Sequence, residues 1–177
     1  MVFAALAFAA AAVHAAQGDA RLDGLFAKLK AAPDVTQARD IERQIWIIWM
    51  DSGRKDVNQL MSSGVQELVH HRLDAALKTF DQVVEMAPDF AEGWNKRATV
   101  EYLQDDLDDS VRDIRRTLAL EPRHFGALSG MGLIFLERGD DAGALGAFEQ
   151  VLKLNPQAVG ARQRVKELRK KLRDQAV

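Results

Sequence analysis

The 177-residue sequence has no cysteine, only four prolines and almost no excess of charge. Without cysteine there is no disulfide, no thiolate nucleophile and no cysteine-ligated metal. The 24 basic and 26 acidic side chains leave a net charge of −2, so the basic excess that attracts nucleic acid is missing. We therefore predict no nucleic-acid partner. The hydrophobic fraction of 47% is that of a globular protein rather than a disordered one.

Long apolar runs are also missing, because the uncharged stretch at residues 1–13 is shorter than the about 20 residues that span a bilayer. It ends in Val13-His14-Ala15, with slender side chains at the −3 and −1 positions of a cut after Ala15. This layout is typical of a secretory signal peptide over residues 1–15, although the usual basic residue at the start is absent. We expect an exported protein, periplasmic or secreted. The alternative interpretation is an alanine-rich helix buried in the fold.

The few prolines are regularly spaced. Pro88, Pro122 and Pro156 follow one another at intervals of 34 residues, and strict recurrence at such a period is typical of a repeat architecture. Numbering each unit from 1 to 34, with proline at position 32, gives units 57–90, 91–124 and 125–158. Position 8 then holds Gly64, Ala98 and Gly132, position 20 holds Ala76, Ser110 and Ala144, and position 24 holds Phe80, Ile114 and Phe148.

This pattern of small residues at positions 8 and 20 and a bulky residue at position 24 resembles the tetratricopeptide repeat. The resemblance implies an all-α fold, an α–α superhelix (solenoid) in which each unit is a helical hairpin. Asp74 and Asp108, both at position 18, are expected to cap the second helices of their units. The segments 94–99 and 121–126 also resemble a group of short exported proteobacterial tetratricopeptide proteins, for which no activity is assigned.

Helical periodicity continues on both sides of the three units. Residues 19–56 are predicted to form a degenerate N-terminal helical hairpin, in which Asp34 and Gln37 form a capping box and Gly53 ends the second helix. Residues 159–177 are predicted to form a final helix with one apolar stripe and basic outer faces. We interpret it as a polar cap that ends the solenoid. The alternative is a functional basic strip that contacts an anionic membrane or wall surface.

The run at residues 45–50 is apolar on every side of its helix. We predict that it is buried between the first helix and the helix that starts near Val57. The alternative is an exposed contact face, through which Trp46 and Trp49 would form a homodimer, because a large exposed apolar patch usually marks an interface.

In the tetratricopeptide family, the first helices of successive units line a concave groove that holds a peptide or a partner helix. The resemblance implies that positions 2, 5, 9, 12 and 13 of each unit point into it. The candidates are Met61, Val65 and Leu68 from the first unit, Asn95, Thr99 and Tyr102 from the second, and Ser129, Leu133 and Leu136 from the third. This mostly apolar lining favours an apolar or amphipathic peptide as partner.

One subfamily clamps the C-terminal carboxylate of chaperones with lysine, asparagine and arginine side chains at set positions of its three units. At those positions this chain has Met61, Val65, Lys96, Gly126 and Gly130. The side chains that would hold the carboxylate are therefore absent, and this ligand class is not predicted.

Charged side chains replace the usual apolar ones at two positions of the repeat. Glu67 and Glu101 occupy position 11, and Arg97 occupies position 7. Since adjacent units stack in register, we predict an ion-pair network among these three residues. It is either a buried structural network or a cation that grips a ligand. Arg123 and His124, at the junction of the second and third units, are placed at the groove edge, where they either satisfy carbonyl groups of the preceding helix end or bind a ligand.

No catalytic or cofactor-binding pattern is present in the sequence. The histidines after residue 15 are His70, His71 and His124, and two neighbours on a helix cannot face one site. No phosphate loop, catalytic triad or metal-spaced histidine pair can be built from these residues. We predict a non-enzymatic protein-interaction module of the cell envelope that needs no cofactor. The alternative is a structural tether that uses its basic C-terminal helix.

Overall fold

The computed structural model describes residues 18–175, and the regular structure within this range is entirely helical. Nine helices follow one another within residues 18–175: α1 (Arg21–Lys30), α2 (Val35–Trp49), α3 (Lys55–Val69), α4 (Leu73–Met86), α5 (Ala91–Leu103), α6 (Leu107–Leu120), α7 (Phe125–Glu137), α8 (Asp141–Leu154) and α9 (Val159–Asp174). The all-α prediction is confirmed. None of these helices is both long and apolar enough to cross a bilayer. The predicted signal peptide, residues 1–15, lies outside the described residues.

The three recurring prolines lie in equivalent places. Each follows the last turn of a second helix (α4, α6 or α8) and begins the short turn that leads into the next helix. The residue before each proline leaves the helical conformation, with φ near −135° and ψ between 71° and 94° at Ala87, Glu121 and Asn155. Proline restricts its preceding residue in this way, which ends the helix.

Close approach of the two helices in a unit depends on the pair at positions 8 and 24. A Cβ atom added to Gly64 would lie 2.7 Å from the Phe80 ring, and one added to Gly132 would lie 2.8 Å from the Phe148 ring. In the second unit the larger Ala98 shares a buried cluster with the smaller Ile114. The sizes at the two positions therefore compensate, as close packing requires.

The turn inside each unit places position 15 in the left-handed region of backbone conformation. The φ values are 56° at His71, 66° at Asp105 and 71° at Gly139. Glycine adopts this conformation without the steric cost that a Cβ atom adds, so only the third unit has the residue that favours the turn.

The capping role predicted for position 18 is wrong. Asp74 and Asp108 lie in the first turns of α4 and α6, and neither helix has a side-chain N-cap hydrogen bond. Each carboxylate instead reaches position 14 of the next unit. Asp74 accepts a hydrogen bond from Gln104 (2.8 Å), and Asp108 forms an ion pair with Arg138 (2.5 Å). The residues at this position therefore link successive units.

The N-terminal hairpin formed by α1 and α2 begins its second helix as predicted. Asp34 accepts hydrogen bonds from the backbone and side chain of Gln37, at 2.9 and 3.3 Å. The predicted burial of residues 45–50 is partly right: Ile47 is 70% exposed, and only Met50 packs against the buried cluster of α3. Trp49 is 1% exposed and packs on Phe26 of the first helix, but on its other side it meets Phe125 of α7 rather than α3.

The last helix, α9, packs its apolar stripe on the third unit. Val165 and Leu168 are buried, while the basic side chains lie outward. Two of these side chains bind acidic residues of α8: Arg169 lies 2.7 Å from Glu149, and a Lys171–Asp141 ion pair has the same length.

Candidate functional site on the concave face

The concave face is built from α3, α5 and α7, the first helices of the three units, and the structure divides it into two halves. Positions 2 and 5, near the helix starts, form the covered half, in which Met61, Glu92 and Asn95 are 1%, 1% and 7% exposed. Positions 9, 12 and 13 form the open half, in which six of the candidates are half-buried: Val65, Leu68, Thr99, Tyr102, Leu133 and Leu136. Ser129, at position 5 of the third unit, is also half-buried and lies between the two halves. Val69 and Leu103 at position 13 are exposed.

A cavity of about 210 Å³ between α5 and α7 extends from the open half to Asn95 and Ser129 at position 5. Thr99, Tyr102, Ser129 and Leu133 line it, and Gly130 lies in its wall. The lining is mainly apolar with hydroxyl groups at intervals, a composition that binds an apolar side chain and orients its backbone by hydrogen bonds.

Tyr102 is held at the rim of this cavity. Its hydroxyl donates a hydrogen bond to the carboxylate of Glu137 in the next unit. This hydrogen bond raises the pKa of Tyr102, with a smaller contribution from burial. The phenol therefore stays protonated and bridges two units across the open half.

Helix α2 lies over the covered half. The Trp46 ring occupies the space beside Gly126, where an added Cβ would be 2.8 Å from the ring. The Lys96 ammonium group lies 5.4 Å from the centre of the same ring, within the range of a cation–π interaction. Met61 and Asn95, predicted to contact a ligand, are both buried, although Asn95 also lines the edge of the cavity.

The predicted groove-edge position of His124 is wrong, because its side chain is 0% exposed. The ring stacks on Trp49 with centroids 4.2 Å apart, and its Nδ1 accepts a hydrogen bond from the backbone N–H of Ala127, which caps α7. Since Nδ1 is an acceptor, the proton must be on Nε2, which donates to Glu92 at 2.8 Å.

Glu92 is the centre of this buried polar cluster. Besides His124, its carboxylate contacts Asn95 Nδ2 at 3.1 Å and Lys96 Nζ at 3.0 Å. Burial is the largest influence and raises the pKa of Glu92, but the His124 hydrogen bond and the Lys96 charge together outweigh it and hold the pKa below its usual value. The carboxylate is thus ionised beneath α2.

Arg123 does not line the groove either. It forms a two-pronged contact with Glu121, at 2.9 and 3.0 Å, and an ion pair of 2.6 Å with Asp23 of α1. Its guanidinium also lies over the Phe26 ring. The residue therefore connects the hairpin to the turn before the third unit.

The predicted ion-pair network has a different membership. Arg97 lies 3.8 Å from Glu101, but its close partners are Asp113 of α6, at 2.6 and 2.9 Å, and Asp81 of α4, at 2.9 Å. Glu67 instead accepts a hydrogen bond from Thr79 within its own unit. Thr79 and Asp113 both occupy position 23 of their units. In the first unit the residue there donates a hydrogen bond to Glu67 at position 11, whereas in the second unit it places a second carboxylate near Glu101.

The two missed aspartates were partly detectable in the sequence. Asp113 falls in the buried stripe of α6 formed by Ser110, Ile114 and Thr117, where a lone carboxylate needs a cationic partner. Asp81 is more than half exposed and has no comparable sequence signal.

The sequence model of the tetratricopeptide repeat family matches residues 66–113 and 99–159 of this chain. A TPR repeat-containing protein of Rhizobium etli is 40% identical over 152 residues, which are 86% of this chain and 74% of that protein.

Solved structures show the same fold. The TPR domain of Sgt2 from Aspergillus fumigatus superposes with a TM-score of 0.64 at 18% identity, covering 70% of this chain and 83% of that chain. The first TPR domain of Spaghetti (RPAP3), bound to the HSP90 peptide SRMEEVD, gives 0.63 at 18% identity, covering 66% and 92%. These likenesses establish the architecture, and the residues of the concave face decide the ligand.

Proposed function

Because this chain belongs to the tetratricopeptide repeat family, we propose that it is a non-enzymatic protein-interaction module that holds an apolar or amphipathic segment of a partner protein in the open half of its concave face. The cavity between α5 and α7 is the observation that carries this proposal, because it is the place where the face is both apolar and open. The exposed side chains of Val69 and Leu103 extend the apolar surface beside it.

The ligand differs in class from the acidic peptide held by the RPAP3 domain. Lys96 is the one basic residue among the five positions that a carboxylate clamp would use, and it is engaged with Glu92 and Trp46. A carboxylate in the open half would meet the Glu137 side chain that binds Tyr102. Apolar contacts and neutral hydrogen bonds are therefore the expected means of recognition.

A photo-crosslinking amino acid at Thr99 tests the site in the native cell envelope. Thr99 lines the cavity, whereas Gln82 on α4 is exposed outside it and provides the matched control position. We expect an adduct from position 99 that is absent from position 82 and lost when Leu133→Glu is added. Identical adducts from both positions, or an adduct that survives Leu133→Glu, would contradict the proposed site.

The envelope location is a separate part of the proposal and rests on the predicted signal peptide at residues 1–15. Intact mass spectrometry of the exported protein should give the mass of a chain that begins at Ala16. A mature protein that retains Met1 would contradict export by cleavage.

A further inference from the structure

Helix α2 occupies the covered half of the concave face in the manner of a bound ligand. Two tryptophans three residues apart, Trp46 and Trp49, point into it and contact residues of the second and third units. A partner helix in a groove is anchored by side chains with the same spacing. The chain's own helix thus fills the covered half, while the open half beside it stays accessible.

The surface beneath α2 combines the apolar ring of Phe125 with a polar and charged cluster. Glu92, Asn95, Lys96 and His124 form one connected cluster there. The cover fits this floor incompletely, because the indole N–H of Trp49 is buried without a hydrogen-bond acceptor among the described residues. A buried donor without an acceptor is unfavourable, and a permanent core would be expected to be apolar or fully paired.

The hairpin is joined to the units by a short connection, by apolar side chains that share a buried cluster with α7, α8 and α9, and by polar contacts at its margins. Gly53, with φ of 74°, lies in the connection between α2 and α3. The marginal contacts are hydrogen bonds and an ion pair: Glu42 with Asn155, Gln157 with the carbonyl of Ala32, and Asp23 with Arg123. The polar contacts can be exchanged for water when the hairpin moves, whereas the apolar contacts must be replaced by those of the partner.

We propose that the α1–α2 hairpin is a displaceable internal ligand, and that the surface beneath α2 receives a partner helix carrying two bulky aromatic residues three positions apart. The spacing of Trp46 and Trp49 defines this partner chemistry, since the partner must make the same contacts with the surface beneath α2. The inference rests on the proposed function only in taking the concave face as the binding surface. It concerns the covered half, whereas the proposed function concerns the open half.

Native-state hydrogen exchange of the full chain tests whether the hairpin opens. If it is displaceable, the slowest amides of α2 should exchange at least about tenfold faster than the slowest amides of α7 and α8, because they open without global unfolding. Equal rates in α2 and α8 would mean that the hairpin opens only when the whole protein unfolds, which would overturn the proposal.

Crosslinking tests whether opening permits binding. Because the natural chain has no cysteine, Glu42→Cys with Asn155→Cys creates the only two thiols, and a cleavable bismaleimide can tie α2 to the turn after α8. Glu149→Cys with Arg169→Cys is the matched control, since it ties α8 to α9 away from the concave face. The binding probe is a labelled peptide with the sequence of residues 35–50.

We expect the full chain to bind this peptide, the 42–155 crosslink to weaken binding at least tenfold, and cleavage of the linker to restore it. The 149–169 crosslink should leave the affinity unchanged. A peptide carrying W46A and W49A should bind at least tenfold more weakly than the unaltered probe. Binding that ignores the 42–155 crosslink or the two tryptophans would overturn the proposal.

A dimer that the 42–155 crosslink abolishes would show that the incoming helix is α2 of a second copy, and would overturn the assignment to a different partner protein. The photo-crosslinking at Thr99 reports on the open half. Its result can therefore fail or succeed independently of the peptide result at the covered half.

Discussion

Arg97 is the cation that pairs with the acidic side chains at the boundary of the first and second units. Its guanidinium contacts a nearly buried aspartate, Asp113, and an exposed one, Asp81, whose side chains are 6% and 53% exposed. The two ion pairs of Arg97 are therefore expected to contribute differently to the free energy of unfolding. Burial removes the water that would otherwise replace a lost partner.

Replacing Asp113 by alanine should lower the free energy of unfolding by about 2–4 kcal/mol, because it leaves a largely buried guanidinium without its two-pronged partner. Asp81→Ala is the matched control and should cost less than about 1 kcal/mol, as expected for an exposed ion pair. Urea denaturation of both variants measures the difference. Equal losses would contradict the assignment of Asp113 as the principal partner.

Glu101 gives the cluster a dependence on pH. Burial raises its pKa from 4.5 to about 7, Asp113 adds to the effect, and Arg97 opposes it. The folded state therefore binds more protons than the unfolded state between these values, so this group's contribution to stability is complete below pH 4.5 and is lost as the pH rises through about 7.

Glu101→Gln should remove this loss. We expect the variant to gain roughly 1–3 kcal/mol over the natural chain at pH 8 and little at pH 4.5. Denaturation curves at both pH values measure it, and a gain of the same size at both would show that Glu101 does not titrate in this range.

At the scale of the helical elements, the helix pairs could be predicted from the sequence because their determinants are local. Proline ends each second helix. The small residue at position 8 and the bulky residue at position 24 lie on the two helices of the same unit and are therefore close in sequence. The N-cap of α2 at Asp34 was equally local. The caps expected at position 18 failed because the carboxylates there bind the next unit, and sequence spacing does not weigh two competing partners.

The glycines of the third unit provide a test of this packing. Gly132→Ala should cost about 1–3 kcal/mol, because the new methyl group would overlap the Phe148 ring. Gly146→Ala, in α8 with no atom near the added Cβ, should stabilise by about 0.5–1 kcal/mol through helix propensity alone. Thermal unfolding compares the two, and a shift in the same direction for both would contradict the close-contact explanation.

At the scale of the whole molecule, the position of the N-terminal hairpin could not be predicted. Its periodicity correctly indicated two helices. The apolar run at residues 45–50, however, does not indicate which distant surface these residues will pack against. Trp49 is consequently unavailable for the homodimer that was the alternative interpretation, and Trp46 is half-buried against Gly126 and His124 of its own chain. The groove prediction did not anticipate that α2 covers half of the concave face.

The role of α9 also depends on its contacts with the rest of the molecule. Because Arg169 and Lys171 bind α8, the basic surface is weaker than the sequence suggests. We expect reversal of two exposed lysines, Lys166→Glu and Lys170→Glu, to change stability by less than about 0.5 kcal/mol. Cosedimentation with anionic vesicles measures the tether function, and salt-sensitive binding lost in this variant would favour the membrane-surface alternative over a polar cap.

The contact of Glu42 with Asn155 joins residues 113 positions apart. On the ribosome the hairpin therefore emerges long before its docking surface. At about 5–20 residues per second, the tryptophans of α2 wait roughly 5–20 s before the third unit is complete. During synthesis they are an uncovered apolar segment, so the nascent chain is most prone to aggregation before its last third has been translated.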